Sequence, residues 1–146
     1  MTEAGCSASS GWEHFPHGAD IGVRGVGATL TEAFEQAALA MTAVIAEPKN
    51  IDTTASVEIT ATAPDVELLL ADWLNALIYE MAARNMLFSH FQVETDGKRL
   101  QAIAAGEPVD ANKHRPAVEI KGATYTELKV FQRPDGRWIA QCVVDV

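Results

Sequence analysis

Two carboxylates sit in unusual places. Asp20 lies within His17-Gly18-Ala19-Asp20-Ile21-Gly22-Val23, and Asp145 lies within Val143-Val144-Asp145-Val146. Both stretches are otherwise largely apolar. Burying an unpaired carboxylate costs several kcal/mol, so each acid is either solvated at a strand end or matched by something positive. Hard cations such as Ca²⁺ and Mg²⁺ take several oxygens from carboxylates, backbone carbonyls and water. Asp20, Asp145, a terminal backbone oxygen and water meet that need if the first and last strands are neighbours. Two solvated strand-end charges are the commoner outcome of such a pattern.

The histidines are His14, His17, His90 and His114. His14 and His17 are three apart, a spacing that ligates metal on a helix or tight turn, but no nearby cysteine completes a zinc set. A hydrogen-bonded structural or surface histidine is the commoner role. His17 stands out only through its neighbour Asp20. Catalytic signatures are missing: there is no GxSxG, P-loop, post-strand GxGxxG or HExxH. Gly22-Val23-Arg24-Gly25-Val26-Gly27 is glycine-rich without matching any of these, and reads as a shaped strand.

The elements that must position these groups follow from periodicity. Asp20 to Val26 reads as part of a first strand. Thr29 and Glu32 form a capping box. Leu30, Ala33, Phe34, Ala37, Met41, Val44 and Ile45 then recur at helical spacing, giving a helix over about 30–45. Val57, Ile59 and Ala61 alternate with polar residues as a strand. Pro64 and Asp65 open a second helix to about Ala82. Its broad apolar set, with Trp73, Leu74 and Leu77 inside, predicts the most buried helix of the fold. Leu87–Thr95 and Lys98–Ala105 form a hairpin across Asp96-Gly97. Ala117–Gln132 reads as one long strand, turned by Pro134-Asp135-Gly136 into a last strand over 137–144. The order predicts an α+β fold: a mostly antiparallel sheet with two helices packed on it.

Size and charge narrow the class. The chain has 146 residues, which suits one domain, expected over 12–146 behind a disordered leader over 1–11 rich in Ser, Gly and Ala. With 11 Lys and Arg against 20 Asp and Glu, the net charge of −9 argues against direct nucleic-acid binding, which runs on clustered cations. Cys6 and Cys142 make no disulfide framework, so a reducing cytoplasm is the default. No apolar run of ~20 residues predicts a membrane helix.

The ordered blocks of the chain carry a resemblance. Trp12-Glu13 and then His17-Gly18-Ala19-Asp20-Ile21-Gly22-Val23 resemble the His-Thr-Ala-Asp-Ile-Gly opening of the archease family. Thr29 to Met41 resembles its first helix, and Leu69-Leu70 with Trp73-Leu74-Asn75-Ala76-Leu77-Ile78-Tyr79 its Leu-Leu…Trp-Leu-Asn-Glu-Leu-Leu-Tyr helix. Gly106-Glu107, His114 and Glu119-Ile120-Lys121-Gly122-Ala123-Thr124-Tyr125 resemble its later block, and Asp145-Val146 its terminal Asp-Ile. Gly18 stands where Thr is usual, Ala76 where Glu is usual, and Gly122 intrudes in the Lys-Ala pair.

The resemblance implies an accessory protein, not an enzyme. Its partner would be the GTP-dependent RNA-splicing ligase of tRNA splicing and RNA repair, whose active-site histidine it helps to guanylylate for repeated turnover. RNA would be met only indirectly. The implied ligands of a divalent cation (Ca²⁺, or Mn²⁺ or Mg²⁺) are Asp20, Asp145 and the Val146 terminus. His17 is a candidate by adjacency. Lys121 is a candidate contact to an anionic group, against the reading of a surface charge on an edge strand. The other readings are a small divalent-metal hydrolase that activates water at Asp20 and Asp145, and a general chaperone or modulator of nucleic-acid enzymes.

Overall fold

The computed structural model describes residues 10–146. In chain order it contains β1 (Gly11–His17), β2 (Asp20–Gly27), α1 (Leu30–Ile45), a 3₁₀ turn over Pro48–Asn50, β3 (Ala55–Thr62), α2 (Val66–Arg84), β4 (Met86–Thr95), β5 (Arg99–Pro108), the one-turn helix α3 (Ala111–His114), β6 (Gly122–Ala123), β7 (Lys129–Gln132) and β8 (Trp138–Asp145). The fold is α+β with antiparallel strands, as the element order predicts. The strands divide between two sheets instead of forming one. The larger runs β1-β2-β8-β6, with β7 also on β8, and the smaller runs β3-β5-β4. Each of the two long helices touches strands of both sheets. Among the described residues, no helix is long and apolar enough to cross a membrane.

Local chemistry places the helices. The Thr29 hydroxyl accepts the Glu32 N–H at 3.1 Å, and the Glu32 carboxylate accepts the Ala28 N–H at 2.9 Å. Orphan donors of the first turn are thereby satisfied. Asp65 caps α2 by accepting the Leu68 N–H, and Asn85 ends that helix in the left-handed conformation. Trp73, Leu74 and Leu77 are buried as expected. The expectation that α2 is the most buried helix is overturned. Of the 16 residues of α1, nine are buried, against six of 19 in α2. The reason is close backbone approach. A Cβ on Gly25 would collide with the α1 backbone at Ala33 and Ala37, so this strand position admits only hydrogen. The matching helix face is Ala33, Ala37 and Ala40, all buried.

Three further differences have local causes. β1 is a strand that the sequence does not announce: it lacks apolar alternation and carries Pro16, which an edge strand tolerates. Asp20 therefore opens the second strand, not the first. The expected long strand over 117–132 is broken into β6 and β7, with Glu127 between them at φ 53°. Of the expected leader, residues 1–9 lie outside the described residues. Ser10 donates to the Glu32 carboxylate at 2.7 Å and Gly11 pairs with Val26. On β8, Cys142 is fully buried, and that burial pushes its thiol up to about 12.

Candidate carboxylate site at the end of the larger sheet

The register brings the two sequence-distant acids together. Across the β1–β2 hairpin, His17 pairs with Asp20. Between β2 and β8, Ile21 pairs with Val144, and one further step sets Asp20 opposite Asp145. Asp145 pairs in turn with Gly122 of β6. Directly opposed residues share a face of a sheet, with Cβ atoms about 4.5–5.5 Å apart. His17, Asp20 and Asp145 thus form one row on one face. It is the face turned away from the helices, because the alternate positions Val23, Cys142 and Val144 belong to the core.

A tight turn starts the row. Gly18 has φ 61° and Ala19 does not share that sign, the pattern of a two-residue hairpin turn with glycine first. The family's usual Thr would be strained there.

Among the described residues the row lacks a bonded counter-charge. Asp20 is half-buried and Asp145 exposed, and among the described residues neither side chain has a hydrogen bond or ion pair. The nearest cation along the same face, Arg24, is engaged elsewhere. It bonds Glu13 at 2.8 Å and the Gln141 oxygen at 2.9 Å, and its guanidinium lies 4.6 Å over the Phe15 ring. Lys121 is exposed, and its backbone N–H donates to the Asp145 carbonyl at 2.7 Å. Val146 is half-buried with its side chain against the core. The strand end carrying Asp145 is thus held from both sides.

One supporting residue lies on α2. The Asn75 side-chain oxygen accepts the Ala123 N–H at 2.9 Å, and its amide nitrogen donates to the Ala123 carbonyl at 3.1 Å. Sequence reasoning placed Asn75 inside a motif without a role. The signal was a polar residue between Leu74 and Leu77 on the buried side of a helix. Gly122 is not demanded by space, since a Cβ there would meet only the Asn75 oxygen at 3.6 Å.

The donor chemistry of Asp20, Asp145 and a Val146 oxygen fits a hard divalent cation, being all oxygen and uncompensated. His17 does not join a ligand set: among the described residues no cluster of three or more His, Cys, Asp or Glu is close enough to hold a metal. The His14–His17 spacing gives no metal pair either. On a strand, residues three apart face opposite ways. His14 bonds the Ala40 carbonyl at 2.8 Å on the helix side, while His17 faces outward.

A second charged group, not foreseen from sequence, lies elsewhere. The Glu107 carboxylate accepts from Lys113 at 2.6 Å, from the Asp52 N–H at 2.8 Å and from His114 Nε2 at 2.9 Å. Lys113 also bonds the Asp52 carboxylate at 2.9 Å. The Lys113 bond, then those of Asp52 and His114, pull the Glu107 carboxyl down to about 2. His114 Nδ1 accepts the Asp110 N–H, so the ring proton sits on Nε2 and the buried imidazole is neutral. His114 and Glu107, both in the family-like blocks, thus find their partners within the fold.

Comparison with known proteins agrees with this architecture. The sequence model of the archease protein family (MTH1598/TM1083) matches residues 12–146. Protein archease of Pyrococcus furiosus is 42% identical over 139 residues, covering 92% of this chain and 98% of that one. Protein archease of Methanosarcina acetivorans is 39% identical over 140 residues, covering 92% and 95%. The solution structure of Methanobacterium thermoautotrophicum protein 1598 superposes with a TM-score of 0.81 at 31% identity, covering 93% of this chain and 99% of that one. The crystal structure of a Thermotoga maritima archease, described as a possible chaperone, shares the fold with a TM-score of 0.61 at 19% identity, covering 92% and 96%. The chain belongs to the archease family.

Proposed function

We propose that this protein is an accessory factor of a GTP-dependent RNA-splicing ligase. It promotes guanylylation of the ligase's active-site histidine and repeated turnover, and it is not itself a ligase. The observation that carries this reading is a row of carboxylates, Asp20 and Asp145, without a counter-charge among the described residues, at the end of a sheet on its face turned away from the helices, in a chain of this family. Two opposed acids without a counter-charge repel each other and destabilise a fold that gains nothing from them. Asp20, Asp145 and a backbone oxygen of Val146 would hold a divalent cation, which supplies positive charge for phosphate chemistry when bound. Lys121, on the neighbouring chain segment, would add a fixed cation toward an anionic group of the ligase–nucleotide complex. The net charge of −9 suits docking to a basic, RNA-binding protein and speeds that encounter. RNA itself is then met only through the partner.

A chaperone role is supported by the description of the Thermotoga maritima protein. It is the broader form of the same reading, in which the ligase is one client. A metal-dependent hydrolase would need a general base at the carboxylates, and His17 is the residue on offer.

The deciding assay is RNA ligation at limiting ligase, with and without this chain, following both nucleotide transfer to the ligase and joined product. The expected result is faster transfer and multiple turnover with the chain, and no joining by the chain alone. Unchanged transfer and turnover overturn the proposal. Release of product from phosphate esters by the pure chain with Mn²⁺ or Mg²⁺ would favour the hydrolase.

A further inference from the structure

β6 is only two residues long, yet it anchors the segment flanked by Lys121 and faces Asp145. Toward β8 the segment is tied by the Lys121 N–H to the Asp145 carbonyl at 2.7 Å and by the Thr124 N–H to the Val143 carbonyl at 3.0 Å. The N–H and carbonyl of Ala123 between them bond to α2 instead, where another strand would ordinarily take them. The Asn75 amide takes both, at 2.9 and 3.1 Å. One planar amide here does the work of a neighbouring strand. Its platform is rigid, because Leu74 and Leu77 beside it on α2 are buried.

We propose that Asn75 is a positioning residue. By holding the 121–124 segment against β8, it sets where Lys121 stands relative to the Asp20 and Asp145 carboxylates. This rests on the reading of that sheet end as the part that acts on the ligase. The chemistry is specific to the amide. An Asp at 75 keeps the volume and accepts the Ala123 N–H, but it sets an anionic oxygen against the Ala123 carbonyl. An Ala makes neither bond. In both cases the half-buried Ala123 backbone loses a partner, and opening toward water becomes its way to recover one.

The test compares Asn75→Asp and Asn75→Ala with the wild-type chain in two measurements. One is backbone amide hydrogen exchange, residue by residue. The other is ligase stimulation as a function of chain concentration. Ser89→Ala, which removes a 2.8 Å bond to the Ile51 carbonyl in another part of the fold, serves as the control for a general loss of stability. The expected result in both Asn75 variants is exchange at Lys121 and Thr124 faster by about ten-fold or more, with β3–β5 amides unchanged. Maximal stimulation should fall by about ten-fold while the half-saturating concentration moves by less than about two-fold, since a misplaced group costs turnover more than docking. Unchanged exchange at Lys121 and Thr124 overturns the inference whatever the ligase does. Faster exchange with wild-type stimulation, or an equal loss of stimulation in Ser89→Ala, also overturns it, because Asn75 is then merely structural. If the wild-type chain itself fails to stimulate, the accessory reading falls and the exchange data alone decide the positioning role.

Discussion

The Asp52–Glu107–Lys113–His114 network and the Asp20–Asp145 row are both built from acids far apart in sequence, and they are electrostatic opposites. Glu107 accepts three hydrogen bonds, one of them from Lys113, whose ammonium offsets its charge. Asp20 and Asp145 have no such partner among the described residues, although Arg24 stands on the same face, where it bonds Glu13 and Gln141 and stacks on Phe15. A carboxylate that the fold has already satisfied has little left to offer a ligand. Under the proposed function, one that the fold brings to a neighbour of like charge and leaves bare is the one open to a cation. The contrast is between acids whose bonds the fold completes and acids whose bonds it leaves open.

The largest effect should come from the bare row. Asp20→Ala and Asp145→Ala are expected to reduce ligase stimulation to the level of the ligase alone, while folding stability stays within about 0.5 kcal/mol of wild type. Added Ca²⁺ or Mn²⁺ should raise the melting temperature of the wild-type chain by mass action and leave both variants unmoved. Variants that respond to the cation as wild type does, or that still activate fully, would erase the distinction between the two groups. A smaller effect, in the opposite currency, belongs to the paired network. The Lys113 bond and its companions hold the folded Glu107 carboxyl down to about 2, below its ordinary value of 4.5. Its stabilisation is therefore complete above about 4.5 and disappears as the pH falls toward 2. Thermal melts of wild type and Glu107→Gln from pH 7 downward should converge across that window, with stimulation at neutral pH retained. The smallest effect concerns the turn that presents Asp20. Gly18→Thr restores the family's usual residue at φ 61° and should cost about 1 kcal/mol in denaturant unfolding, without loss of stimulation.

Legibility followed the range of the interactions. The α1 capping box and the turns at Gly97 and Gly136 are local, and each falls where the residues place it, while α2 starts at Val66, with Asp65 as its cap and not as an acid of its first turn. The carboxylate row was readable as two odd acids, because a charge in an apolar strand is visible without knowing its neighbour. What stayed hidden depends on contacts between distant segments. Asp52 and Lys113 meet across 61 positions, and nothing near either one signals the other. The burial of α1 depends on Gly25 meeting an alanine face, so apolar bulk in the sequence pointed to α2 instead. The split into two sheets and the break between β6 and β7 follow from pairings on β8 and from the Glu127 turn, which no periodicity encodes.

Cys142 has a practical consequence. It lies three positions before Asp145 on the strand that pairs with β2, β6 and β7, facing the core. A thiol held near 12 and shut away from water is silent to alkylating reagents at neutral pH for as long as that strand stays in place. In a Cys6→Ser background it becomes a single-site clock. Each covalent label records one moment at which the strand bearing Asp145 left its sheet, and the labelling rate measures how often that end of the sheet comes apart.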